Sequence, residues 1–134
     1  MFLLDTNVVS ELRKPRPRRS VVKWLQSVDD AKLFLSVVTL GEIQAGIEVT
    51  REQDRAKAAE IETWLELIAT TYNVLSMDAA VFRAWARLMH RKSDTLYEDA
   101  MIAATACVHN LVVVTRNVSD FKVFDVRVLN PFEP

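Results

Sequence analysis

Acidic side chains stand just beyond several short apolar runs of this chain. Asp5 follows Phe2–Leu4, and Glu42 comes shortly after Leu33–Leu35. Asn117 and Asp120 follow Leu111–Val114 in "TRNVSDF", and Asp99 opens "DAMIAATA". Carboxylates gathered in one crevice repel each other, and without a cation at least one tends to hold a proton. A hard cation resolves this. Mg²⁺ and Mn²⁺ prefer carboxylate and water oxygens, whereas His90, His109 and the lone Cys107 offer no zinc spacing. Such an ion lowers the pKa of bound water and neutralises a phosphate under attack. The basic run "RKPRPRR", Arg13–Arg19, lies a few residues after Asp5. Together these features point to phosphodiester hydrolysis. With two glycines in the chain, there is no P-loop or dinucleotide fingerprint to compete.

Each acid also has a plainer explanation. Asp5 can cap the helix after it, as Asp, Thr and Asn all favour helix starts. Glu42 completes "TLGE", a capping-box pattern led by Thr39. Glu98 and Asp99 suit the positive end of a helix dipole, and Asp120 suits a turn. Two local features weigh toward a site. Gly41 and Gly46 flank Glu42, and glycine inside a helix costs roughly 1 kcal/mol relative to alanine, so it marks close approach or a packing need. Glu42 shares a helical face with Ala45, Gly46 and Val49, and Asp99 with Ile102, Ala103 and Ala106, which predicts that both acids look inward. Glu98 sits one step round the helix and is the less inward of the two neighbours.

The elements that must position these groups follow from apolar spacing. Phe2–Leu4, Leu33–Leu35 and Leu111–Val114 read as buried strands, with weaker strands at Asn73–Leu75 and Val126–Leu129. Val21, Leu25 and Val28 predict a helix capped by Ser20. Ala58, Ile61, Leu65, Ile68 and Tyr72 stripe a long helix starting near Arg51; Val81, Trp85 and Leu88 stripe the next, and "EDAMIAATACVHN" forms another. The expected class is α/β, a short, mainly parallel central sheet flanked by helices on both faces. In such sheets ligands bind outside the carboxyl ends of the strands, which gathers Asp5, Glu42 and Asp120. Asp99 precedes a strand instead of following one, so strand-end topology alone does not bring it there. Trp24, Trp64 and Trp85, like Met77, Met89 and Met101, read as packing residues.

The bulk numbers agree with a small intracellular protein. The 134 residues are half hydrophobic and about a quarter charged, long enough for one core and a single domain over 1–134. No signal peptide or membrane span is visible, and one cysteine suits a reducing compartment, so the expected location is cytoplasmic. The net charge of −1 hides an asymmetry: the basic run holds five of the 17 cations, leaving 12 against 18 acids elsewhere. Its cations can contact phosphate or simply solvate a Pro-stiffened loop.

"LLDTNVVSEL", "LSVVTLGEIQAGI", "EDAMIAATA", "VVTRNVSDF" and the closing "LNP" resemble, in order and spacing, the PIN-domain ribonucleases, particularly the VapC and FitB type toxins of prokaryotic toxin–antitoxin pairs. The resemblance implies a PIN-like fold and an acidic pocket holding Mg²⁺ or Mn²⁺ for RNA cleavage. Asp5 and Asp99 would be the principal ligands, and Glu42 would complete the pocket or orient water. Thr6 matches a hydroxyl supporting the first acid. Many relatives carry Asp where Asn117 stands; Asp120 matches another family acid able to supply the missing charge, and Arg116 faces either the scissile phosphate or the pocket's acids. Implied partners are the RNA substrate, a second copy in a homodimer and a cognate antitoxin, with operator DNA reached through the antitoxin and no membrane involved. A degenerate PIN domain that binds without cutting is the alternative Asn117 favours, and retention of Asp5, Glu42 and Asp99 argues against it. An Asp-nucleophile phosphatase or phosphotransferase, similar to haloacid-dehalogenase-like enzymes, expects a second Asp where Asn7 stands.

Overall fold

The computed structural model describes residues 1–133. Five short strands, β1 (Phe2–Leu4), β2 (Leu33–Ser36), β3 (Asn73–Leu75), β4 (Val112–Val114) and β5 (Val128–Leu129), pair in the order β3-β2-β1-β4-β5, every pair parallel. The sheet expected from the apolar runs is therefore present and wholly parallel. Between strands run α1 (Thr6–Glu11), α2 (Arg19–Gln26), α3 (Val37–Arg51), α4 (Arg55–Thr71), α5 (Ala79–Met89), α6 (Tyr97–His109) and α7 (Val118–Phe121). Among the described residues no helix is long and apolar enough to cross a membrane.

Strand alternation divides the core between the two faces. Leu4, Val114, Leu33 and Leu35 pack with Val8 and Val9 of α1, Val21 and Leu25 of α2 and Ile68 of α4. Leu3 and Val113 point the other way, onto Ala100, Ile102, Ala103 and Ala106 of α6 and onto Phe121 and Phe124. A period of two sends neighbours to opposite faces, so each three-residue strand serves both layers. The alanines of α6 let that helix lie close on the sheet. Its end is set by Asn110 in the left-handed conformation (φ 54°), with the Leu111 N–H donating back to Ala106 O at 2.8 Å.

Several local expectations need correcting. The long helix expected to start near Arg51 starts at Arg55, because α3 runs through Arg51 and Asp54 caps α4 through the Lys57 N–H; α4 buries Ala58, Ile61, Leu65 and Ile68 as its stripe predicts. Ser20 does not cap α2, which starts one residue earlier; its hydroxyl donates to Phe132 O at 3.2 Å. Ser36 is the cap of α3, accepting from the Val38 N–H, so Thr39 and Glu42 form no capping box. The inward side of α3 is Thr39, Ile43 and Ile47, while Ala45, Gly46 and Val49 are exposed. Gly41 and Gly46 face open space, so no close approach in this chain requires them. The tryptophans do pack: Trp24 edge-on to Phe2, Trp64 against both α3 and α4, and Trp85 between Phe82 and Tyr97.

The basic run is anchored by a buried acid. Glu11, 3% exposed, accepts from the Arg18 N–H at 2.9 Å and pairs with Lys14 Nζ at 2.9 Å. Lys14, set against burial, holds this carboxyl below its ordinary range. Glu11→Ala leaves the Arg18 N–H without its acceptor, a loss of about 1–3 kcal/mol. Denaturant unfolding is expected to register that loss, with faster tryptic cleavage within 13–19. Unchanged stability and cleavage would mean that the loop is held by other contacts.

Candidate active site

The strand order reverses between β1 and β4. From β1 the chain steps to β2 and β3 on one side, then crosses to β4 on the other. The carboxyl ends of β1 and β4 diverge into connections leaving in opposite directions, which opens a crevice there. Asp5 sits at that point as the N-cap of α1, its Oδ1 accepting the Thr6 N–H at 2.8 Å. Capping and a place at the site are thus two uses of one carboxylate.

Parallel register pairs Leu4 with Val114, so the next residues, Asp5 and Thr115, emerge side by side. The buried Thr115 hydroxyl donates to Asp5 Oδ2 at 2.8 Å. Asn7 Nδ2 lies 3.2 Å from both Asp5 Oδ2 and Thr115 Oγ1, while Asn7 Oδ1 accepts the Arg116 N–H at 3.1 Å. These contacts clamp Asp5, which is 7% exposed, yet they use only three of its roughly four lone-pair directions. From the sequence alone Thr115 has no role in the site, and Asn7 enters only as the place where a second Asp is missing. The signal for Thr115 is positional: it follows β4 as Asp5 follows β1, so the register itself identifies it.

Glu42, one turn into α3, is half-buried. Its Oε1 lies 3.1 Å from Thr6 Oγ1, which is also 3.1 Å from Thr39 Oγ1. The Thr6 hydroxyl therefore supports the second acid, and its backbone N–H the first. Asp99 arrives by a route that strand-end topology misses. Helix α6 must finish where β4 starts, so its first turn lies at the opposite, carboxyl edge, where Asp99 meets the fields of Asp5 and Asp120. Asp120, exposed in the first turn of α7, acts on Asp5 as well. Glu98, exposed in the first turn of α6, bears on the site through its charge, which helps raise Glu42.

The electrostatics follow from burial and crowding. Burial pushes Glu42 up to about 7, aided by Glu98 and Asp5 and opposed by the Thr6 hydroxyl. Burial likewise pushes Asp99 up to about 6, with Asp5, Asp120 and Glu98 adding to it. Asp5 is raised chiefly by burial, against its hydrogen bonds from Thr115, Thr6 and Asn7. Among the described residues, no Lys, Arg or His forms an ion pair with any of these acids.

Arg116 does not reach them: its guanidinium stacks over the Phe132 ring at 4.2 Å. Asn117 is exposed, and its N–H donates to Thr115 Oγ1 at 3.0 Å. Arg13, the first cation of the basic run, shares a cleft of about 330 Å³ with Thr6, Glu42 and Trp64.

As they stand, no three acidic, His or Cys side chains among the described residues close on one point tightly enough to hold an ion. Asp5 and Glu42 direct oxygens to Thr115, Asn7 and Thr6 instead. The donor chemistry nonetheless fits a hard divalent cation. It is all oxygen, mostly carboxylate, crowded and without a countercharge.

Comparison with known proteins gives the family of the fold. Residues 2–126 match the family model of the PIN domain. The chain is 33% identical to VapC ribonuclease Y4jK of Sinorhizobium fredii, covering 100% of this chain and 99% of that one. It is 34% identical to Toxin FitB of Neisseria gonorrhoeae, covering 98% and 99%. The solved structure of FitAB bound to the IR36 DNA fragment superposes with a TM-score of 0.86 at 32% identity, covering 100% of this chain and 97% of that one. Matched along nearly its whole length in sequence and in three dimensions, the chain belongs to the PIN-domain family.

Proposed function

We propose that this protein is a metal-dependent endoribonuclease, the toxin of a toxin–antitoxin pair, hydrolysing RNA at the pocket formed by Asp5, Glu42, Asp99 and Asp120. The observation carrying this is the meeting of those acids, from four separate stretches of chain, at the sheet's reversal point without a cationic side chain to balance them. Relatives aligned end to end are named as a VapC ribonuclease and a FitB toxin, which supports RNA as the substrate and toxicity as the role.

Asp5 and Asp99 would hold Mg²⁺ or Mn²⁺, with Glu42 and Asp120 completing the set. When bound, that ion supplies a Lewis acid for water and phosphate. The protein's own groups do the rest. Thr115, Asn7 and the Thr6 N–H fix Asp5, and the Thr6 hydroxyl orients Glu42. Glu42 is placed to take a proton from the attacking water as its oxygen bonds to phosphorus, and that same proton can pass to the leaving oxygen as its P–O bond breaks. Arg13, beside Glu42 in the adjoining cleft, is placed for phosphate contact. The partners that fit are an antitoxin that blocks the pocket, a second copy of the chain and, through the antitoxin, operator DNA; FitAB bound to a DNA fragment supports the last. The action would be cytoplasmic. Asn117, neutral and exposed, favours a second version in which the domain binds RNA or a partner without cutting it.

Asp99→Asn is expected to lower RNA cleavage by about 100-fold or more while leaving the circular dichroism spectrum intact, as removal of a group that stabilises transition-state charge does. Wild-type cleavage by the folded variant would remove Asp99 from the site, and absence of cleavage by the wild type on any RNA would favour the non-cutting version.

Metal binding has a pH dependence whose sign is set by the raised acids. Folded-state values of about 7 for Glu42 and about 6 for Asp99 lie above the ordinary carboxylate range. Their contribution to metal-free stability is full below that range and is lost as pH rises through 6 to 7. The cation must displace those protons, so its stabilisation grows over the same interval. At about pH 8, Mn²⁺ at ~100 times its dissociation constant is expected to add roughly 2.7 kcal/mol, on the order of 10 °C in Tm, fading by about pH 5.5. Thermal melts across pH and Mn²⁺ concentration check this; a shift independent of pH would place the ion away from these acids.

A further inference from the structure

Gly46 interrupts α3 without a packing reason. Glycine inside a helix is unfavourable relative to alanine, and a Cβ at Gly46 would meet no atom within 4 Å. What Gly46 faces is the cleft that also holds Thr6, Arg13 and Glu42. Glu42, Gly46 and Thr50 line that cleft at steps of four along α3, so the missing side chain leaves the space beyond Glu42 open. Across from them stand Ile61 and Trp64 of α4. Trp64 is half-buried: it packs on the cluster of Ile47, Ile61 and Leu65 and still lines the cleft.

The cleft does not stop there. Arg13, Ile61 and Trp64 also line a second one of about 420 Å³, which reaches Lys14, Pro15 and Lys57. The two form one groove from Glu42, past Trp64, to Lys57. Its cations are unequally engaged. Lys14 is taken up by Glu11 at 2.9 Å, whereas Arg13 forms no ion pair among the described residues. Lys57 lies 3.7 Å from Glu60, the one acid of the outer stretch, and both are exposed. By holding Lys14 and the Arg18 N–H, Glu11 steadies the loop that carries Arg13, so this cation needs little ordering on binding. A free cation, a half-open indole and a bare helix face, in line with the acidic pocket, match a single strand of nucleic acid: phosphates meet the cations and a base lies on the aromatic ring. We propose that this groove is a subsite for single-stranded RNA beside the scissile phosphate. Arg13 contacts the adjoining phosphate, one base stacks on Trp64 in the space that Gly46 leaves, and Lys57 contacts a phosphate further out. The assignment rests on the ribonuclease function proposed above.

The test is fluorescence anisotropy of a labelled, mixed-sequence single-stranded RNA of ~12 nucleotides titrated with the full chain, with Ca²⁺ in place of Mn²⁺ to leave the strand uncut. Gly46→Leu fills the groove and is expected to weaken binding by ~10-fold or more while Tm stays at or above the wild type's. Trp64→Leu keeps apolar bulk without a stacking face and is expected to lose a similar factor. Lys57→Gln is expected to lower the slope of log K against log salt by about 0.7, the loss of one phosphate contact. Lys32→Gln removes the same charge ahead of β2, at the opposite edge of the sheet, and is expected to bind within ~2-fold of the wild type. Binding within ~2-fold of wild type in either Gly46→Leu or Trp64→Leu would overturn the subsite, as would an equal loss in Lys32→Gln, which would reduce the cations to a diffuse field. If Trp64→Leu does not fold, Gly46→Leu decides. Unaltered RNA binding in these variants, with cleavage that still depends on Asp99, would leave the nuclease standing and give the groove to a polypeptide. Neither binding nor cleavage of RNA by the wild type would overturn both.

Discussion

The hydrogen bond from the Thr115 hydroxyl to the Asp5 carboxylate joins the ends of β1 and β4 at the sheet's reversal point. The pocket is organised around it. Burial by itself makes an ionised carboxylate unfavourable, and Asp5 is 7% exposed. Donors from Thr115, Asn7 and the Thr6 N–H offset that cost without supplying a positive charge. Asp5 is thereby held in place and left electrostatically unbalanced. A lysine in the same position would neutralise that charge, and on the proposed function would remove the pull on a cation.

That imbalance extends to the other acids, and the fold tolerates it because the two cores lie elsewhere. One apolar layer runs beneath α1, α2 and α4, and the other beneath α6. The acids gather at the sheet edge, between helix starts. Side-chain packing can therefore be dense while the carboxyl edge stays polar, crowded and raised in pKa. The strands are three or four residues long in the central part of the sheet, so the edge is never far from either core. Helix starts at this edge add local positive dipole ends, which lower the cost of crowding without cancelling it.

The positive charge of the chain is concentrated where it does not quench the pocket. Glu11 folds the basic run back by accepting from the Arg18 N–H and pairing with Lys14. Arg18 donates to Phe132 O, while Arg116 stacks on the Phe132 ring. Of the cations of the run, Arg13 alone shares a cleft with a site acid, Glu42. On the proposed function, Arg13 puts a positive charge next to the acids, where it can meet a phosphate of the substrate.

The apolar runs by themselves determined the strands, the parallel α/β class and the two-sided core, because periods of two and of 3.6 are local properties of the chain. Asp5, Glu42 and Asp120 were legible for the same reason: each follows a strand that can be read from its own residues. Caps and helix faces were less legible. Ser36 rather than Thr39 starts α3, and Ile47 rather than Val49 faces inward, because competition among neighbouring hydroxyls and among near-equivalent faces is settled by what packs against them. Asp99 was named from its helical face and from the family resemblance, but its route to the edge, like the part played by Thr115, needed the tertiary structure. The place of Asp99 depends on which way α6 must run to meet β4, and that of Thr115 on the pairing register of two strands more than a hundred residues apart. That Glu98 of α6 adds to the raising of Glu42 on α3 likewise depends on the folded sheet bringing two separate helices together, since distances between segments are set by packing and not by spacing along the chain.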